Sequence, residues 1–387
     1  MIISDLISNA YRGINGRILS MWYPVGAPAM TSTRRAFPGY PPAMLRAASR
    51  LYEKGLQKDQ ARLRKKRVRL KAPVISIGNL STGGTGKTPL TIWVCEFLLK
   101  SGFHPAVLTR GYGGKGRNPG LVELTGNPGE LCDLFGDEPV MVSEYLPSTP
   151  VWVGRDRAVC GEAALACSAV DVFVLDDGFQ HLALDRDLDI VLLDGRSPFG
   201  NGFVLPAGPL REPPSNLKRA DAFVITRLGK DADSAPIRDK LKRLFPGIAV
   251  FACRHKVRGI RLRRGEPVFD VHCLLGRRVL AFAGIARPDG FFDDLRSAGI
   301  TICEALSFPD HHRYTADDLW RIFRAASGQS AEVIVTTAKD SVRIPSPCRD
   351  AFAVAEIGID FGPELEDFRT LIRSSVVRKK YDVLSTE

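Results

Sequence analysis

Eight consecutive residues, Ser81-Thr82-Gly83-Gly84-Thr85-Gly86-Lys87-Thr88, combine three glycines, one lysine and four hydroxyl side chains. Glycines let successive backbone N–H groups turn inward around an anion. A lysine at the end of such a loop reaches β- and γ-phosphates, and the next hydroxyl binds Mg²⁺. The expected ligands are therefore ATP and Mg²⁺, with residues 81–88 cradling the nucleotide, Lys87 on its phosphates and Thr88 on the metal. The usual pattern G-x-x-x-x-G-K-[ST] opens with glycine, where this chain has Ser81. Pro89 is compatible with a helix starting here, because the first helical turn needs no N–H at that position.

A second chemical signal is Asp171-Val172-Phe173-Val174-Leu175-Asp176-Asp177-Gly178-Phe179-Gln180-His181. An apolar strand ending in a carboxylate, some way after a phosphate loop, is the usual second metal partner. Asp176 is the first choice for it, with Asp177 beside it. Other polar clusters fall where connections belong: Thr109-Arg110-Gly111-Tyr112-Gly113, Gly136-Asp137-Glu138-Pro139 and Gly154-Arg155-Asp156-Arg157. Arg155 or Arg157 would suit neutralisation of phosphate charge, and Asp137 would suit orienting or deprotonating a hydroxyl. Each is equally a helix cap or surface ion pair on pattern alone. Pro206-Ala207-Gly208-Pro209-Leu210-Arg211-Glu212-Pro213-Pro214 is too rigid for a helix and reads as a fixed loop or a connector. Phe308-Pro309-Asp310-His311-His312-Arg313-Tyr314 holds two of the six histidines. Adjacent histidines point different ways, so one of them in proton transfer is a better reading than a metal pair, and a helix-entry turn is the plain one.

These residues need a scaffold that gathers strand ends. Strands are expected at Val74–Ile77, Ala106–Thr109, Val151–Val153, Val172–Leu175, Asp189–Leu193 and Ala222–Thr226, with helices over 88–101, 137–146 and 156–168. Buried apolar strands separated by helices predict an α/β fold: a P-loop NTPase-like parallel sheet flanked by helices, whose strand ends open on one crevice. A second series, Val279–Ala283, 288–298, Ile302–Leu306, 315–326 and Glu332–Thr336, predicts a smaller α/β lobe. The expected division is 1–72 as an N-terminal extension with a basic helix, 73–227 as the kinase core, 228–275 as an inter-lobe connector, and 276–387 as a lobe closing the cleft.

With 387 residues, 44% hydrophobic and 25% charged, the chain has ordinary globular composition, which excludes disordered and fibrous classes. The net charge of +11 is unevenly placed. Residues 1–72 hold 15 Lys/Arg against 3 Asp/Glu, whereas the remainder holds 39 against 40. Met44, Leu45, Ala48, Leu51, Tyr52 and Leu56 recur at helical spacing, and seven basic residues follow within 60–71. Such a basic amphipathic helix suits an anionic membrane surface. Packing of the stripe on its own domain, or contact with nucleic acid, would explain the same pattern. Residues 1–35 lack strong periodicity. Eight cysteines form no CxxC pair or zinc spacing, so free thiols in a reducing compartment are expected. No apolar run is long enough to span a bilayer, and the early sequence makes a poor export signal.

In these strings the chain resembles the tetraacyldisaccharide 4′-kinase (lipid A 4′-kinase) family. The resemblance runs in order from Gly78-Asn79-Leu80-Ser81 through Thr88-Pro89, Thr-Arg-Gly-Tyr-Gly at 109–113, Gly-Asp-Glu-Pro at 136–139 and Gly-Arg-Asp-Arg at 154–157. It continues through Asp-Asp-Gly-Phe-Gln-His at 176–181, Leu-Pro-Ala-Gly-Pro-Leu-Arg-Glu-Pro at 205–213, Phe-Pro-Asp-His-His at 308–312 and Thr-Thr-Ala-Lys-Asp at 336–340. Ser81 in place of glycine is also the family's habit. The resemblance implies ATP- and Mg²⁺-dependent transfer of the γ-phosphoryl group to the 4′-hydroxyl of an acylated glucosamine disaccharide 1-phosphate. It implies a peripheral enzyme at the cytoplasmic face of the bacterial inner membrane. It also implies Lys87 and Thr88 on phosphates and metal, Asp176 on metal, and Asp137 paired with His311 on the acceptor hydroxyl. Arg157, Asp177, Gln180 and Glu212 are implied as supporting groups. Polybasic attraction of about 1 kcal/mol per Lys/Arg near an anionic surface supports the membrane reading. A partition-type ATPase would carry a second lysine where this chain has Thr82, and the neutral body offers no extended basic face for nucleic acid.

Overall fold

The computed structural model describes residues 41–384 except 117–118, 126–127, 229–232 and 263–265; the weakly periodic stretch 1–35 lies outside the described residues. The first element is α1 (Ala43–Lys65), followed by β1 (Val74–Asn79), α2 (Lys87–Lys100), β2 (Pro105–Thr109) and the short β3 (Gly120–Leu121). Next come α3 (Pro128–Phe135), α4 (Asp137–Tyr145), β4 (Val151–Val153), α5 (Arg157–Cys167), β5 (Val172–Asp176), β6 (Leu188–Asp194) and β7 (Ala222–Thr226). The stretch 228–275 contains α6 (Ala235–Leu244), β8 (Ala249–Ala252) and β9 (Arg254–Arg261). The later series is β10 (Arg278–Ala283), α7 (Pro288–Ser297), β11 (Thr301–Ser307), α8 (Ala316–Gly328), β12 (Val333–Thr337), α9 (Ala338–Ser341), β13 (Ala353–Asp360) and α10 (Leu365–Leu384).

Two sheets result. The larger has the order β3-β4-β2-β5-β1-β6-β7-β8. In it β2 runs parallel to β4 and β5, and β7 parallel to β6 and β8, while β3 is an antiparallel edge against β4. Every residue of β1, β2, β4, β5, β6 and β7 is buried. That uniform burial is the mark of a parallel sheet covered on both faces, and it explains why these strands read as unbroken apolar runs. The predicted parallel α/β architecture is therefore the observed one.

The smaller sheet has the order β11-β10-β12-β13-β9, parallel except for the antiparallel edge β9. Side chains alternate across β10 as strand geometry demands. Val279, Ala281 and Ala283 join one core with Phe291, Phe292 and Leu295, while Leu280 and Phe282 join another with Phe308, Tyr314 and Phe352. Edge strand β9 exposes Arg254, Lys256 and Arg258, charges that discourage edge-to-edge pairing.

By contact density the chain falls into two compact units. One comprises the described part of Met1–Arg69, Ser76–Thr85 and Asp177–Ala252; the other comprises Leu70–Ile75, Gly86–Asp176 and Cys253–Glu387. Strand β1 has residues in both.

In the first unit α1 is docked by its own stripe. Tyr52 packs against the core built on Phe179, Leu210 and Phe223, and its hydroxyl donates to the Arg211 carbonyl (2.7 Å). Ser49 donates to the Val204 carbonyl (2.8 Å). The opposite face, Met44, Ala47, Leu51, Lys54 and Lys58, is exposed. Periodicity revealed the helix; it could not tell which apolar residues the fold would cover. All eight cysteines are free, and among the described residues no helix is long and apolar enough to cross a membrane.

Candidate active site

The phosphate loop is built from β1 outward. Asn79, the last residue of the strand, sends its side-chain amide to Thr85 Oγ1 (3.0 Å) and the Gly83 carbonyl (3.3 Å), closing the turn from within. Thr226, ending β7, donates its hydroxyl to the Thr85 carbonyl (2.8 Å). The rigid 205–214 segment proves to be the loop's wall. Thr82 donates through backbone N–H (2.8 Å) and hydroxyl (3.0 Å) to the Pro209 carbonyl, and Arg211 N–H donates to the Leu80 carbonyl (2.8 Å). Ser81 forms an antiparallel bridge with Leu210, an extended geometry open to any residue, so a side chain is tolerated where the pattern expects glycine. Gly83 and Gly86 have φ of 111° and 88°, where glycine is the fitting choice.

Gly86 ends the loop and Lys87 and Thr88 open α2. Most of this helix is buried; it packs against β5 and α4. One turn beyond Thr88, the Thr91 hydroxyl donates to Asp176 Oδ1 (3.0 Å) at the end of β5. The helix that carries Lys87 and Thr88 is thereby tied to the strand-terminal carboxylate. Asp176 and Thr88 are both buried, at 2% and 9% exposure. Among the described residues no group of three or more His, Cys, Asp or Glu gathers to hold a metal. A hydroxyl and a single carboxylate, both hard oxygen donors, fit Mg²⁺, which keeps waters and phosphate oxygens as its remaining ligands.

Asp177, Gln180 and Glu212 form one network in the first unit. Asp177, at φ 55°, accepts from Arg211 Nη1 at both oxygens (2.9 and 2.8 Å). Gln180 Nε2 donates to the Asn79 carbonyl (2.9 Å) and Glu212 Oε1 (2.8 Å). Glu212 is fully buried and also accepts from Arg219, Asn216 and Gln60 of α1. Its oxygens are taken up by protein donors, so it braces the loop wall and α1. Arg157, 6% exposed at the first turn of α5, turns Nη1 back to the Arg155 carbonyl (3.0 Å). Beside it Asp156 caps the helix through the N–H groups of Ala158 and Val159.

The second unit joins Asp137, first residue of α4, to His311, 174 positions later, at 3.0 Å between Oδ2 and Nδ1. His311 sits at φ 60° in a turn held by its N–H to the Gly284 carbonyl (3.1 Å). An ionised carboxylate only accepts, so the hydrogen lies on Nδ1. Lys339 Nζ then donates to the Nε2 lone pair (3.3 Å) and to Glu138 Oε1 (3.2 Å). Arg343 Nε donates to the same Asp137 Oδ2 (2.8 Å). Asp137 Oδ1 receives no donor among the described residues. Burial pushes the Asp137 carboxyl upward, but the His311 hydrogen bond and the Arg343 charge outweigh it and bring it down to about 2. Neighbouring His312 does point elsewhere, to Asp318 Oδ2 (2.9 Å) in the capping box of α8.

Sequence reasoning selected Asp137 and His311 but passed over Arg343, Lys339 and Glu138. Lys339 lies in the Thr-Thr-Ala-Lys-Asp string and Glu138 beside Asp137. Arg343, one turn beyond Lys339, carried no local signal.

The tetraacyldisaccharide-1-P 4′-kinase family matches residues 42–376. A tetraacyldisaccharide 4′-kinase of Syntrophobacter fumaroxidans is 43% identical over 94% of this chain and 93% of its own length. Another, from Pelobacter propionicus, is 42% identical over 81% of this chain and 87% of its own. A crystal structure of LpxK from Aquifex aeolicus in complex with ATP superposes with a TM-score of 0.67 at 30% identity, covering 85% of this chain and 98% of that one. With these matches spanning the loop, the strand-terminal aspartate and the Asp–His pair, this chain belongs to the tetraacyldisaccharide-1-P 4′-kinase family.

Proposed function

We propose that this protein transfers the γ-phosphoryl group of ATP to the 4′-hydroxyl of a tetraacyldisaccharide 1-phosphate, a step of lipid A biosynthesis. The observation that carries the reading is the pairing, in one chain, of an ATP-type loop with an Asp137 carboxylate that keeps one oxygen available. With Thr82 tied to the Pro209 carbonyl, residues 83–86 would turn their N–H groups to the phosphates, and Lys87 would neutralise their charge. Thr88 and Asp176 would hold Mg²⁺, which when bound spreads the charge developing on the transferred group.

Asp137 receives the acceptor. With Oδ2 occupied by His311 and Arg343, Oδ1 is the oxygen left to accept the 4′-hydroxyl hydrogen bond. A carboxyl titrating near 2 is a weak proton acceptor, so its main service is to aim the hydroxyl oxygen at phosphorus. The O4′–P bond forms as the bond from phosphorus to the ADP β-phosphate oxygen breaks. That electron pair leaves with ADP, and the hydroxyl proton passes through Asp137 to solvent. Arg157 adds positive charge near the start of α5, while Asp177, Gln180 and Glu212 hold the loop and its wall in shape.

The lipid acceptor calls for a surface-bound enzyme. The exposed stripe of α1, with Met44 and Leu51 at 78% and 71% exposure above lysines, together with the basic run after it, supports peripheral seating on an anionic bilayer. The cytoplasmic face of a bacterial inner membrane, where ATP is at hand, fits that reading.

The test is incubation of the full chain with labelled ATP, Mg²⁺ and the disaccharide 1-phosphate in mixed micelles. The expected result is a bisphosphorylated lipid with one ADP per lipid, and an acceptor lacking the 4′-hydroxyl should stay unlabelled. Lys87→Ala should lower turnover by about 10²-fold or more. Wild-type turnover in that variant would refute the loop assignment.

A further inference from the structure

We propose that Arg343 is a positioning residue for phosphoryl transfer: its buried guanidinium fixes the Asp137 carboxylate so that Oδ1 faces the acceptor hydroxyl. The inference rests on the reading of Asp137 as the group that receives that hydroxyl.

The side chain of Arg343 is 2% exposed and uses its planar fork in two directions. One edge is anchored. Nη1 donates to the Gly284 carbonyl (3.1 Å) and faces Asp340 Oδ1 at 3.5 Å. Asp340 is itself fully buried and accepts from Gly284 N–H (3.0 Å), the Tyr314 hydroxyl (3.0 Å) and the Thr337 hydroxyl (2.6 Å). The other edge reaches the pair. Nε donates to Asp137 Oδ2 at 2.8 Å, and Nη2 lies 3.2 Å from His311 Nδ1. Since Nδ1 already carries a hydrogen, this last approach is steric and electrostatic, and it limits where the imidazole can turn.

A residue serving only to neutralise Asp340 would not need to spend Nε on a carboxylate from another helix. Two donors on one oxygen, one of them from a guanidinium pinned at its far edge, leave the Asp137 carboxylate a single orientation. Gly284 contributes twice, accepting from Arg343 and from His311 N–H, so both partners of Asp137 are referenced to the end of β10.

The charged and titratable groups around Asp137 are His311 and Arg343 in contact, with Arg313 and the Cys132 thiol near enough to couple to it. Around His311 stand Lys339 and, at 3.9 Å, Asp310. Removing the Arg343 charge therefore removes one of the two main influences that keep Asp137 ionised to low pH.

The experiment compares kcat, KM and the pH profile of the full chain with Arg343→Gln, Arg343→Lys, Asp137→Asn and the Arg343→Gln/Asp137→Asn double variant, using ATP, Mg²⁺ and the lipid acceptor in micelles. Arg343→Gln should lower kcat by about 10- to 100-fold while both KM values stay within about threefold. The acid limb of its kcat profile should move up by about one pH unit. Arg343→Lys restores a point charge without the fork, so its acid limb should return while kcat stays roughly three- to tenfold low. The double variant should be no slower than Asp137→Asn. Wild-type kcat in Arg343→Gln, with Asp137→Asn inactive, overturns the role of Arg343 and leaves that of Asp137 standing. Wild-type kcat in Asp137→Asn overturns the underlying reading. Full additivity in the double variant would show Arg343 acting elsewhere and overturn the proposal. If Arg343→Gln does not fold by thermal melting, Arg343→Lys decides: wild-type kcat there overturns the claim of orientation.

Discussion

A methyl group at position 86 would stand 2.6 Å from His255 Nε2, on a backbone whose φ of 88° already disfavours any side chain. Gly86→Ala should therefore distort the loop just before Lys87 and raise KM for ATP by about tenfold or more. An unchanged KM would mean that the loop's geometry is not what binds nucleotide. Asp137 yields a pH prediction at the same scale. Its carboxyl is held at about 2, below the ordinary 3.8. A depressed carboxyl contributes stability above its unfolded value and loses it as pH falls through the folded one, here between about 4 and 2. The contribution at neutral pH is at most about 2 kcal/mol. The melting-temperature gap between the wild type and Asp137→Asn should accordingly be widest near neutrality and narrow on acidification below about pH 4. A gap constant down to pH 2 would contradict the pairing.

At the scale of elements, α1 presents two faces with different surroundings. Its inner face carries Ser49, Tyr52 and Gln60, each hydrogen-bonded to the 204–212 segment, and burial pushes the Tyr52 hydroxyl up to about 12. Glu212 is the keystone of that docking. Glu212→Gln would leave Arg219 without its buried counter-charge and should cost about 3–5 kcal/mol in denaturant unfolding, with earlier proteolytic cutting within α1. A loss under about 1 kcal/mol would show the network to be dispensable. The outer face makes a separate prediction. Met44→Glu combined with Leu51→Glu should weaken binding to anionic vesicles by about tenfold or more, since two apolar anchors are lost and two like charges face the lipid. Melting temperature should hardly change, because both residues are exposed. Undiminished vesicle binding would remove α1 as the membrane contact.

For the whole molecule, legibility followed the reach of each interaction along the chain. The phosphate loop was readable because its eight residues are contiguous, and the strands were readable because full burial leaves an unbroken apolar run. The apolar face of α1 was visible as a period, but Tyr52 inside and Leu51 outside differ only in what the fold lays over them. Asp137 and His311 stood out through the strings around them, whereas their contact depends on a chain that returns after 174 residues. Arg343 was invisible for the same reason: nothing near it in sequence says that Asp137 lies opposite. Glu212 was legible as part of a rigid loop, yet its four protein partners come from three places in the chain, α1, the turn after β5 and residues 216–219, so only tertiary structure shows it bracing the loop wall.

The central claim is that the nucleotide loop and the Asp137 oxygen work on the same reaction, with a lipid hydroxyl as acceptor. The direct measurement is ³¹P NMR of the lipid recovered after incubation of the full chain with ATP, Mg²⁺ and the tetraacyl disaccharide 1-phosphate. A second phosphomonoester resonance, coupled to the proton at C4′, is the predicted result. ADP and inorganic phosphate appearing while the lipid keeps a single phosphorus resonance would contradict it.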